Sequence, residues 1–240
     1  LVGGYTQNDD YNISGLISYD YATGDMTHTT VVGESTGGVV QNGGLVFVPN
    51  FGPAGVMVSI GGDQLGKITK GTDDLVSMNT VQVFDPATGN WYEQAVTGSI
   101  PEMRKDFCVA GVASDNQTFE IFLYGGWAGQ YGSAALPYDS AYVLTLPGFN
   151  WVKADYPAQS PRTGLTCEAV GGGQILTIGG LDPSHEDTNN RYLGTYVTAD
   201  PMTYGLGLFD IGSMKWKDSF LANASDYTPS DEVMKFYTTQ

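Results

Sequence analysis

The chain has 240 residues, with 33 Gly, 11 Pro, 15 Tyr and only 15% charged residues. That composition excludes a helical bundle, because Gly and Pro are poor in helix interiors and the strong helix formers Glu and Lys are scarce. With 26 acidic against 10 basic residues and a net charge of −16, it offers no basic stripe for a phosphate backbone. Nucleic acid is therefore excluded as a partner and an anionic membrane surface is disfavoured.

The predicted elements recur along the chain with a period of 60 to 65 residues. The first unit, 1–38, opens on Leu1-Val2-Gly3-Gly4, which reads as the end of a second strand, so a longer polypeptide is expected. Its next element is the strand–turn–strand pattern Tyr19-Asp20-Tyr21-Ala22-Thr23-Gly24-Asp25-Met26. The second unit, 39–103, holds four strand patterns at 45–48, 56–60, 80–84 and 91–95. Its second strand ends on Gly61-Gly62, and the turn Asp85-Pro86-Ala87-Thr88-Gly89-Asn90 joins strands three and four. The third unit, 104–160, repeats this at 107–113, 119–124, 141–146 and 150–154, with Gly125-Gly126 after strand two. The fourth, 161–231, carries Leu176-Thr177-Ile178-Gly179-Gly180 and then Phe209-Asp210-Ile211-Gly212-Ser213-Met214-Lys215-Trp216. The last stretch, 232–240, reads as the first strand of a further or closing blade.

Four antiparallel strands per period, arrayed radially, make a β-propeller blade. Each repeated residue then has a mechanical task. The Gly pair lets strand two bend and pack closely. The Asp before the three-to-four turn accepts bonds from nearby backbone N–H groups. The Trp that opens strand four, at 91, 151 and 216 with Met26 in its place in the first unit, packs between neighbouring blades.

The segments FDPATGNW (84–91), FCVAGV (107–112), EIFLYGG (120–126), LTLPGFNWVKADY (144–156) and FDIGSMKWKDS (209–219) resemble the Kelch-repeat family, most closely its large fungal secreted or membrane-anchored members. The resemblance covers the whole chain. It implies an all-β, Kelch-type propeller of four-stranded antiparallel blades, placed outside the cytoplasm and often on a longer chain with a membrane anchor. It implies no defined reaction and no cofactor. Rings of that family usually have five to seven blades. The roughly four blades counted here are therefore expected to be part of a larger ring, completed by a further chain or segment.

Three glycosylation sequons, at Asn12, Asn116 and Asn223, point to an extracellular or cell-surface protein of the secretory pathway. Strand alternation places the long two-to-three loops (5–15, 63–79, 127–139 and 181–204) and the four-to-one connections on one face, where recognition is expected. Three features there are candidates for a ligand face. Arg104 and Arg162, in equivalent connections, would either bind a carboxylate or fix loop carbonyls. Trp127, Tyr131 and Tyr138 would either stack on a sugar or protein or pack against the next blade. Asp182 and His185, with Glu186 and Asp187, would either hold calcium or form a solvated loop.

Catalysis is weakly supported, with two histidines and no nucleophile elbow. Cys108 and Cys167 fall in first strands of successive units, and whether they pair is open. The reading is a noncatalytic extracellular scaffold that binds protein or glycan through the long-loop face, with no catalytic, cofactor or metal residue assigned. The alternative implied by the resemblance is a fragment of a galactose-oxidase-like copper radical oxidase.

Overall fold

The computed structural model describes residues 16–29, 40–64, 74–130, 138–157, 161–184 and 199–239. The first unit contributes a hairpin, β1 (Leu16–Tyr19) and β2 (Met26–Thr29). Its turn is closed by Asp20 Oδ1, which accepts from the Ala22 N–H at 2.7 Å. Met26 is 69% exposed, so the smaller residue in the tryptophan position does not wedge between blades here. The reading of Leu1–Gly4 as strand two lies outside the described residues.

The second unit begins with β3 (Val40–Gln41), followed by β4 (Gly44–Val48), β5 (Val56–Ile60), β6 (Asp63–Gln64), β7 (Thr80–Asp85) and β8 (Asn90–Ala95). The blade is the antiparallel sheet β4-β5-β7-β8, while β6 turns aside to pair with β3. A short strand, β9 (Thr97–Gly98), precedes the third blade, β10 (Lys105–Ala113), β11 (Phe119–Trp127), β12 (Ala141–Leu146) and β13 (Asn150–Lys153). The fourth blade is β14 (Thr166–Gly171), β15 (Gln174–Ile178), β16 (Leu206–Asp210) and β17 (Lys215–Lys217). The strands expected in the second and third units lie within one or two residues of those found, apart from a three-residue extension of β11 through Trp127.

β9 was not foreseen. It pairs parallel with β13, so the link between blades lies along the outer edge of the third blade and makes it five-stranded. A sheet edge is a row of unpaired N–H and C=O groups, and this link covers part of it.

The core sits between blades. β11 is buried at every position, because successive side chains point to opposite faces and both faces are covered. Ile121 and Leu123 join Val46, Val58, Leu144 and Trp151 against the second blade. Phe122 and Tyr124 join Ile175, Phe209 and Leu165 against the fourth. Phe122 and Phe209 meet with ring centroids 4.8 Å apart.

The repeated residues do what their chemistry predicts. Asp85 Oδ1 accepts from the Ala87 N–H at 2.9 Å, and Asp210 Oδ1 from the Gly212 N–H at 3.0 Å. In the Gly pairs the second residue donates across blades: Gly62 N–H to Arg104 O at 3.0 Å and Gly126 N–H to Arg162 O at 2.7 Å. A second ladder runs beside it, from the Asp106 N–H to Asn42 O at 2.9 Å and from the Gly164 N–H to Asp106 O at 2.7 Å. Asn42, Asp106 and Gly164 hold left-handed φ values of 55°, 54° and 66°, the region that Gly, Asn and Asp tolerate best.

One element differs in kind. Residues 232–240 were expected to form a strand, but Asp231–Thr238 is a helix, α1. Ser230 caps it, accepting from the Val233 N–H at 3.2 Å, and Asp231 and Glu232 suit the positive end of the helix dipole. Val233 is its buried anchor.

Candidate functional site

The residues expected on the ligand face are mostly consumed by the scaffold. Arg104 is fully buried. Its guanidinium donates to Gly125 O at 2.9 Å, Glu102 O at 3.0 Å and Glu102 Oε2 at 2.8 Å, and lies 4.0 Å from the centre of the Tyr138 ring. Arg162 is 3% exposed and donates to Pro161 O and Ala199 O. Neither presents its fork for an outside carboxylate, because each ties carbonyls of its own connection to a more distant one, Gly125 O for Arg104 and Ala199 O for Arg162.

Trp127 is also a correction. It is not an exposed loop aromatic but the 6%-exposed last residue of β11, and its Nε1–H donates to Asp106 Oδ2 at 2.8 Å. Tyr138 is half-buried over Arg104. Asp182 Oδ1 accepts from both the backbone N–H and the hydroxyl of Ser184, a local turn. Tyr131, His185, Glu186 and Asp187 lie outside the described residues, as does Asn12. Among the described residues no three of His, Cys, Asp and Glu gather to hold a metal ion.

Cys108 and Cys167 form a disulfide with a Cα–Cα separation of 5.3 Å. The pairing left open by sequence is settled because β10 and β14, the innermost strands of successive blades, lie side by side.

What the long-loop face offers instead is a cleft of about 440 Å³ between the third and fourth blades. It opens among residues 139, 156–157, 201–203 and 216–218, which belong to the two-to-three and four-to-one connections and the strand ends beside them. Tyr124 forms its floor. Trp216 stands between Tyr124 and Tyr156, with centroids 4.8 and 6.2 Å away and both contacts edge-on at 72° and 88°. The two tyrosine hydroxyls donate to one oxygen, Asp139 Oδ1, at 3.1 and 3.4 Å. Burial, and then the Asp139 charge, push both phenols far above their usual range, so they stay protonated and act as donors. Lys217 Nζ is 3.5 Å from Asp210 Oδ2, whereas Asp218 is exposed and has no ion pair among the described residues. The cleft thus combines aromatic walls with carboxylates.

The opposite side carries the one-to-two turns. A second cavity, of about 350 Å³, is lined there by Ser114, Asp115, Gly171–Gly173, Asp226 and Tyr227. The two described sequon asparagines flank it. Asn116 is exposed on the turn between β10 and β11, and Asn223 is exposed beside Ala224, which packs on Gly172.

Sequence reasoning missed the cleft because its residues come from six separate stretches of the chain. One signal was legible. Tyr124 precedes its Gly pair where Ile60 and Ile178 precede theirs, so among the described blades the third sets a hydroxyl at that position.

No family model matches the chain. It is 30% identical over 185 residues to a Kelch repeat-containing protein of Arthroderma benhamiae, covering 75% of this chain and 25% of that relative. The chain therefore spans about a quarter of the relative's length. The solved structure of YjhT superposes with a TM-score of 0.61 at 14% identity, covering 94% of this chain and 68% of that one, a likeness of fold.

Proposed function

This chain is a Kelch-type β-propeller chain, and on that premise we propose that it is a noncatalytic extracellular scaffold whose long-loop face binds a protein or a glycan. The observation that carries the proposal is the contrast between the two faces. The aromatic and acidic cleft opens on the long-loop side, while both described sequons sit beside the short turns. Sugars at Asn116 and Asn223 would clothe the turn side, away from the cleft between the third and fourth blades. Kelch propellers generally mediate protein interactions, which supports the same reading. A disulfide between blades supports an oxidising compartment.

Two measurements test this. Intact mass of the protein secreted from a eukaryotic host, before and after enzymatic deglycosylation, should report glycans on the sequons. Screening the protein against extracellular proteins and a glycan array should then yield a binder that is lost in Pro201→Asn. That substitution creates the sequon Asn-Met-Thr at the rim of the cleft and so places a bulky glycan there. Sequons that stay bare would reject the extracellular reading. Binding that survives an occupied Asn at 201 would reject the long-loop face.

A further inference from the structure

We infer that the cleft between the third and fourth blades receives a basic side chain, arginine or lysine, from a protein partner. The inference rests on the proposed reading of the long-loop face and narrows it to one ligand chemistry. Three features of the cleft point the same way. Its walls are the Trp216 and Tyr156 rings with Met202, surfaces that accept an aliphatic stem and attract a cation to a ring face. Its described lining carries two carboxylates, the half-buried Asp139 and the exposed Asp218. Among the described lining residues the one cation, Lys217, lies 3.5 Å from Asp210 Oδ2.

Size and field agree with this assignment. A volume of about 440 Å³ lies in the range of small-ligand pockets and admits a single long side chain. The net charge of −16 speeds the approach of a cationic partner and slows that of an anionic one. A neutral saccharide would gain from the rings but nothing from that field.

The four tryptophans give four indole N–H signals in a tryptophan-labelled sample, and Trp216→Phe identifies the relevant one. Titration with acetyl-arginine amide should move the Trp216 signal saturably, and the apparent affinity should fall as salt is raised. In Asp218→Asn the affinity should drop by roughly two- to fivefold, the size of a solvent-exposed ion pair. Asp85→Asn, on a turn of the opposite side, should leave it unchanged. The inference is overturned if arginine amide leaves the Trp216 signal in place, or if Asp218→Asn binds as tightly as the parent. It is also overturned if methyl glucoside shifts the signal and arginine amide does not, though a glycan-binding face would then stand. Failure of the face itself is read separately, from the glycan at position 201.

Discussion

At the residue scale, the fold is held by positions where backbone approaches backbone. Gly126 has φ of 87°, and a Cβ there would come within 2.8 Å of Lys105 O. Gly126→Ala should therefore lose roughly 3 kcal/mol, from left-handed strain and overpacking together. Gly89 has φ of 72° but open space around its Cβ position, so Gly89→Ala should lose only about 1 kcal/mol. Urea unfolding of both variants checks the contrast. Charge gives a second residue-scale test. Glu120 is fully buried, with Oε1 accepting from the Thr145 hydroxyl at 2.9 Å. Burial pushes its carboxyl above the ordinary range. The folded state then keeps a proton that the unfolded chain has released. The stabilisation is complete below the ordinary glutamate value and is lost as pH rises through the elevated one. Glu120→Gln, which is neutral at every pH, should gain on the parent as pH is raised from 4 to 8, by on the order of 1 kcal/mol. Melting temperatures at the two pH values measure it, and an unchanged difference would reject the assignment.

At the scale of elements, the strands of the second and third units were legible and the C-terminal helix was not. Strand patterns in the second and third units carry their own evidence, because alternation, Gly pairs and Asp-led turns agree with one another. The loops do not follow a period, so the parallel strand β9 and the cleft could not be read from it. Residues 232–237 alternate well enough to suggest a strand, yet Pro229-Ser230-Asp231-Glu232 is a helix start, and the cap decided the outcome. The helix has partners on the third blade. The Tyr237 hydroxyl lies 3.0 Å from Thr145 Oγ1 and accepts from the Gly148 N–H at 3.2 Å, and Phe236 packs on Gly148. Asp115 N–H meets Tyr227 O at 3.4 Å. The terminal segment therefore ties the end of the fourth blade to the turns of the third. Ser230→Ala should cost about 1 kcal/mol by removing the cap, whereas Ser230→Asp should retain it. Equal losses in the two variants, measured by urea titration, would show that the cap is not what holds the segment.

At the scale of the molecule, blades are local units that fold mostly from neighbouring strands, so their stability depends on how each is fastened to the next. Side-chain clusters and the two backbone ladders do this from the second blade to the fourth, but between the third and fourth blades the Cys108–Cys167 bond adds a covalent link over a separation of 59 residues. Closing a loop of that length removes conformational freedom from the unfolded chain, by about 4 kcal/mol in the chain-entropy account. Cys108→Ala with Cys167→Ala should therefore lower stability by 2–5 kcal/mol, and reductant should lower the parent towards the same value while leaving the variant unmoved. The bond is buried at both ends, so reduction should be slow in the native state and follow the opening of the interface between these blades. If reductant destabilised the double variant as well, the effect would not come from this bond. If the parent and the double variant melted together, the fastening between these blades would rest on the Phe122–Phe209 packing, the backbone ladders and the terminal segment.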